Sequence, residues 1–186
     1  VYVSNGQSLP TADGRAMGDG VYMLNADFSD TGIAGGTGHH TGGVNWSASG
    51  SVSPFRLEVG PDDSVYITDW SDGHSGLWQA DPNMTAASEI LDSTGRDGDG
   101  LNATHGSIAD VIVSGTGAGR SILSADEDFV PAGGSAINLL RYDIGAAATF
   151  AGAPSAVFFD NTAQGNVMIN SLNSIAKASD GTYWMS

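Results

Sequence analysis

Apolar residues along this chain come in short runs that alternate with polar positions, and Gly, Asp, Asn and Ser fill the breaks between them. Runs such as "VYITD" (65–69), "GLWQA" (76–80) and "NLLRY" (138–142) have a period near two. They are rich in β-branched and aromatic residues and bounded by turn formers, the pattern of half-buried strands. Twenty-seven Gly, mostly at the breaks, would each cost about 1 kcal/mol inside a helix. The expected fold class is all-β.

The runs also repeat in order. "VYVSN" (1–5) returns as "VYITD" (65–69), "SILSAD" (121–126) and "TYWMS" (182–186). Val3, Ile67, Leu123 and Met185, taken as equivalent, stand 64, 56 and 62 residues apart. A Gly-rich loop and a second run follow the first three: "GVYMLNAD" (20–27), "GLWQADPN" (76–83) and "NLLRYDIG" (138–145). A third run is clearest in "SEIL" (88–91) and "SAVFF" (155–159) and weakest at "GVNW" (43–46). A fourth precedes the next copy, in "FRLEVGPDDS" (55–64), "SIADVIVSGTGAG" (107–119) and "SIAKASDGT" (174–182). Asp-Asp-Ser and Asp-Gly-Thr there supply tight turns into the following strand.

Four short strands per unit of about 60 residues, in tandem, predict a β-propeller with four-stranded blades. The units fall at 1–52 (a partial blade), 53–106, 107–170 and 171–186, the start of a further blade, within one segment spanning 1–186. About three blades are present, whereas propellers close with roughly four to eight. The chain opens on "VYVSNG" without Met and closes on "GTYWMS" inside an apparent strand, so the expectation is a fragment of a larger ring.

Charge narrows the partners. Six Lys plus Arg against 21 Asp plus Glu give a formal net charge of −15, which repels nucleic acid and anionic membranes. Cysteine is absent, which excludes disulfides, thiolate metal sites and thiol nucleophiles. No run approaches a membrane span. Scarce Lys with plentiful Asp, Asn, Ser, Thr and Gly suits an exported protein.

Candidate chemistry sits at strand ends and in loops, where propellers bind ligands. Asn5, Asp69 and Asp126 close equivalent strands, read here as the inner strands, and converging oxygen ligands of this kind hold a hard cation such as Ca²⁺. The competing reading is that each caps its own turn. Trp70 follows Asp69 and offers a sugar-stacking face if exposed; the other Trp are expected to pack between blades. Asp126, Glu127 and Asp128 form the densest carboxylate cluster. In "RDGDGLNATHG" (96–106), Asp97, Asp99 and Asn102 are calcium-loop candidates, although Leu101 replaces an acidic ligand and no Glu stands at the twelfth position. Asp27, Asp81 and Asp143 recur after the second strand and read as structural turns. The His residues lack metal-ligand spacing, with His39 and His40 read as loop residues; no nucleophile elbow and no phosphate loop is present.

The strings "VYVSNG", "GRAMGDGVYMLNAD", "SPFRLEVGPDDSVYITDWSD", "GLWQADPN", "THGSI" and "NLLRYDIG" resemble the NHL/gluconolactonase-like β-propeller of uncharacterised predicted secreted, surface-sorted bacterial proteins. The resemblance implies fold and export. Gluconolactonase-type enzymes of the wider superfamily hold one divalent cation with Glu, Asn and Asp; Asn5 and Asp69 match two of these ligands, and the Glu has no counterpart. The sequence thus reads as a non-enzymatic extracellular or cell-surface protein that binds carbohydrate, protein or its own copies, with Ca²⁺ as the candidate cofactor. The alternative is a divalent-metal-dependent lactonase or hydrolase.

Overall fold

β-Branched and aromatic residues at alternate positions favour extended backbone, and Asp, Gly and Pro at the breaks turn it back on itself. The computed structural model describes residues 1–5, 9–10, 16–17, 20–27, 39–40, 54–69, 76–92, 108–129, 137–150, 155–160 and 172–186. Fifteen strands run through these residues, with a short 3₁₀ turn at Gly117–Gly119 and no α-helix among them. The all-β expectation holds.

A first sheet has the order β1 (Tyr2–Asn5), β4 (Gly20–Met23), β5 (His39–His40), with β2 (Leu9–Pro10) and β3 (Ala16–Met17) paired separately. The second sheet is an antiparallel meander of β6 (Arg56–Val59), β7 (Val65–Asp69), β8 (Gly76–Ala80) and β9 (Ala87–Asp92). The third repeats that order with β10 (Ile108–Ser114), β11 (Ser121–Phe129), β12 (Ile137–Tyr142) and β13 (Ala156–Asp160). A hairpin of β14 (Ile175–Lys177) and β15 (Tyr183–Met185) follows. The Asp-Asp-Ser and Asp-Gly-Thr turns form as the sequence predicts. In each an Asp accepts the amide two residues on, Asp62 from Ser64 at 3.2 Å and Asp180 from Thr182 at 2.9 Å.

Among the described residues three apolar clusters lie between successive sheets. Val21 meets Val65, Ile67, Ala80 and Met84 between the first and second. Tyr66, Leu77, Ile90 and Leu91 meet Ile122, Leu140, Tyr142 and Ile144 between the second and third. Ile112, Ala125 and Leu139 meet Leu172 and Ile175 before the hairpin. Strand β6 touches β1, β10 touches β6 and β7, and β14 touches β10. The strands nearest the preceding sheet are therefore the edge strands β6, β10 and β14.

That order corrects one expectation. Residues 65–69 are a second strand, paired on both sides, while 56–59 take the edge. A second correction concerns phase. Ile67 packs toward the first sheet, but Leu123 packs toward the hairpin, so the two are not equivalent. Strand pairing equates Val65, opposite Val59, with Ile122, opposite Val113; Leu123 then matches Tyr66, because a one-residue slip reverses the face of every side chain. His39 and His40 are also not loop residues: they pair with Tyr22 and Val21. The weak third run at 43–46 lies outside the described residues.

Candidate functional site

With the register corrected, one contact recurs between sheets. Ser4 in β1 donates its hydroxyl to the carbonyl of Phe55 at 3.1 Å, just before β6. Thr68, the matching residue of β7, donates to the carbonyl of Ala109 in β10 at 3.3 Å. Phe55 and Ala109 occupy the same position relative to Val59 and Val113. The tyrosines two residues earlier also reach the next unit: Tyr2 donates to the carbonyl of Pro82 at 2.7 Å, and Tyr66 meets Arg120. The Ser/Thr of "VSN" and "ITD" thus joins one sheet to the next. At the third sheet this position is Ala125, and Asp110 makes the join instead, accepting from the Ser174 hydroxyl at 3.0 Å and the Ile175 amide at 3.1 Å.

Asn5 lies opposite Gly20 and Asp69 opposite Gly76, the same place in two sheets. Gly76 has φ 146°, and a Cβ there would stand 2.1 Å from the Leu91 carbonyl oxygen, so the chain re-enters the sheet at a point only glycine fits. Asp69 is fully buried. Asp126 lies opposite Ile108 beyond a register shift in β10. Asp126, Glu127 and Asp128 belong to strand β11 and not to a loop, in a stretch where the register against β12 shifts between Ala125 and Phe129. Trp70, Asp97, Asp99 and Asn102 lie outside the described residues. Among the described residues no group of three or more His, Asp or Glu is placed to hold a metal ion. Trp78 packs partly into the first intersheet cluster, but Trp184 is 67 % exposed and fills no core position.

Two carboxylates absent from the sequence reading, Glu58 and Asp110, lie on the edge strands β6 and β10 that pack together. Partial burial pushes the Glu58 carboxyl of β6 above its ordinary range, and the charge of Asp110 on β10 pushes it further the same way. The turn aspartates behave oppositely. For Asp81 burial acts upward but is outweighed by hydrogen bonds from the Thr85 hydroxyl and from the amides of Ala86, Asn83 and Thr85, at 2.7 to 2.9 Å, which hold the carboxyl below the carboxylate range. Asp143 is held low by hydrogen bonds from Arg141, at 2.8 Å, and Ser155.

Arg120 is the largest polar feature that sequence reasoning missed. It follows the 3₁₀ turn between β10 and β11 and is only 7 % exposed. Its guanidinium donates to the Gly145 carbonyl at 2.9 Å, the Ala147 carbonyl, the Tyr66 hydroxyl at 3.2 Å and Gln79 Oε1 at 2.7 Å. Tyr66 and Gln79 in turn donate to Asp62 Oδ2 at 3.1 and 3.3 Å. The cation is thus linked to a carboxylate through two neutral side chains across the intersheet gap. Burial pushes the Tyr66 phenol up, and the hydrogen bond and charge of Arg120 offset part of that rise.

A cleft of about 400 Å³ opens between the third sheet and β15, lined by Ser121, Leu123, Leu139 and Arg141 on one side and Tyr183 and Met185 on the other. No helix among the described residues is long and apolar enough to cross a membrane. Compared with known proteins, the chain matches no protein-family model, no curated protein and no solved structure.

Proposed function

We propose that this chain is a segment of a β-propeller, of the NHL/gluconolactonase-like kind, that serves outside the cell or at its surface as a non-enzymatic binding and assembly scaffold. The observation that carries the architecture is the repeated join: Ser4 to Phe55 and Thr68 to Ala109 relate successive sheets by the same contact at the same register. One operation applied again and again generates a ring or a superhelix of sheets. Export is supported by a composition scarce in Lys and rich in Asp, Asn, Ser, Thr and Gly. Binding falls to the strand ends at Asn5 and Asp69, where Ca²⁺ is the cation that their hard oxygen donors suit.

The experiment is a calcium titration by calorimetry with the wild type and Asp69→Asn, run beside hydrolysis assays on a panel of aldonolactones with Ca²⁺, Mn²⁺ or Zn²⁺. The expected result is no turnover above buffer, with any calcium affinity reduced in the variant. Metal-dependent turnover that Asp69→Asn abolishes, while its thermal midpoint is retained, would replace the scaffold reading with the lactonase.

A further inference from the structure

The turn between β8 and β9 holds the chain's single Asp-Pro bond, Asp81–Pro82. Such a bond differs from other peptide bonds in its chemistry. An Asp carboxylate reaches its own main-chain carbonyl carbon by closing a small ring, and a proline nitrogen leaves as a basic secondary amine once it takes a proton. Asp143, at the same place after β12, precedes Ile144 and lacks that leaving group.

The turn is built around the Asp81 carboxylate. Its Oδ1 accepts the Asn83 amide at 2.9 Å, and its Oδ2 accepts the Thr85 amide at 2.9 Å, the Thr85 hydroxyl at 2.7 Å and the Ala86 amide at 2.9 Å. The Asp81 carbonyl itself accepts the Met84 amide at 2.9 Å, which polarises the carbon that ring closure would attack. Met84 has φ 54° and is buried in the first intersheet cluster, so the turn is anchored to the core, while Pro82 is exposed to solvent.

Breaking the bond needs one proton more than the resting turn carries, because the carboxylate attacks as an anion and the proline nitrogen leaves protonated. The rate therefore follows the fraction of turns that have gained that proton. Burial acts upward on the Asp81 carboxyl, but the hydrogen bonds outweigh it and hold the carboxyl below 3.8, so the folded turn gains its proton only at lower pH than an open one. Attack on the carbonyl also competes with those bonds for the carboxylate oxygens. Of the elements beside the turn, β1 brings Tyr2, whose hydroxyl donates to the Pro82 carbonyl at 2.7 Å, β8 brings no titratable side chain, and β9 brings Glu89. Neither Tyr2 nor Glu89 is among the causes acting on Asp81.

We propose that Asp81–Pro82 is a latent self-cleavage site, latched by the hydrogen bonds of its own turn and released by acid. In the released turn Asp81 Oδ1 attacks its own carbonyl carbon, a C–O bond forms, the C–N bond to Pro82 breaks with its electron pair on nitrogen, and a solvent proton completes the amine. One water then opens the cyclic anhydride, leaving Asp81 as a new C-terminus and Pro82 as a new N-terminus. Strands β8 and β9 stay paired from Gly76 opposite Asp92 to Ala80 opposite Ala87, so the product is a nicked sheet. The inference uses the turn alone and holds whether or not the sheets belong to a ring.

The test is incubation of the whole chain from about pH 5 down to about pH 2, native and in urea, read by intact mass. Fragments 1–81 and 82–186 are expected, with masses that sum to the chain plus one water. Wherever circular dichroism shows the native β signal, the native chain should be cut at least about tenfold more slowly than the urea-unfolded chain at the same pH. Thr85→Val removes the hydroxyl bond and keeps the amide donors, so it should speed native cleavage by about threefold or more and leave the unfolded rate unchanged. Pro82→Ala should abolish cleavage in both states. Equal native and unfolded rates, a native Thr85→Val rate equal to wild type, or an intact bond even in urea overturns the proposal. So does cleavage confined to conditions where the whole fold is lost, in wild type and Thr85→Val alike.

Discussion

Replacing Arg120 by Ala tests whether the second and third sheets are held together by apolar contact alone or also by this one buried cation. The substitution removes four donated hydrogen bonds and leaves Gln79 Oε1 and the carbonyls of Gly145 and Ala147 without that donor, while Tyr66 keeps Asp62. Hydrogen bonds from a charged group contribute about 1.5–3 kcal/mol each in isolation, but desolvation of the guanidinium offsets much of the sum. Removing one member of a buried charged network typically costs about 3–5 kcal/mol, and that is the loss expected for Arg120→Ala in urea unfolding. Arg120→Lys should recover only part, since an ammonium has three N–H donors for the four acceptors. Gln79→Ala shares a partner with Arg120, so the double variant should be less unstable than the two singles together by about 1–2 kcal/mol. A cost under about 1 kcal/mol for Arg120→Ala, or strict additivity with Gln79→Ala, would refute the network.

Other outcomes follow from the same geometry. Glu58→Gln should stabilise the protein at pH 7: a carboxyl whose pKa rises on folding carries a penalty above its folded pKa and none below the ordinary value of 4.5, so the advantage should vanish as the pH of a denaturation series falls below that value. Asp81→Ala should cost about 1–2 kcal/mol at neutral pH, and because folding lowers the pKa of Asp81, the gap from wild type should close only as the pH drops below 3.8 toward the folded value. Gly76→Ala should cost about 3 kcal/mol by thermal unfolding, from a φ of 146° together with the 2.1 Å approach to Leu91; a neutral effect would mean that the strand entry differs. Thr68→Val keeps the volume but removes both the bond to the Ala109 carbonyl and the acceptor for the Arg56 amide, so urea unfolding should show a loss of about 1–2 kcal/mol.

Much of the local structure was legible because it depends on neighbours in sequence. The alternation in 65–69 and 76–80, the turn at Asp62 to Ser64 and the Asp81 turn all rest on side chains within five residues of their partners. Phase was harder. "SILSAD" aligns with "VYITD" in two ways one residue apart, and only pairing with 108–114 decides between them. Strand order was misread for a related reason: Arg56–Val59 precedes a turn whichever sheet it joins, and nothing local says which edge meets the neighbour. Arg120 stood in "GAGRS" with no polar partner nearby; all four of its side-chain acceptors are at least 25 residues away, so no local pattern marks it. Glu58 and Asp110 gained significance only when β6 and β10 came side by side. For Asn5 and Asp69, the pairing with Gly20 and Gly76 adds the positional equivalence that the sequence proposed.

The contacts between sheets bear on how the chain loses its structure. Each buried cluster joins a sheet to its immediate successor, so cooperativity is transmitted in series. Among the described residues the central link, built from Tyr66, Leu77, Leu140 and Tyr142 with Arg120 beside them, has the largest buried cluster; the β14–β15 hairpin is tied by Leu172, Ile175 and the bonds to Asp110. Under mechanical load or denaturant the links should open one at a time, with the central one last, and amide exchange should rank the segments in the same order.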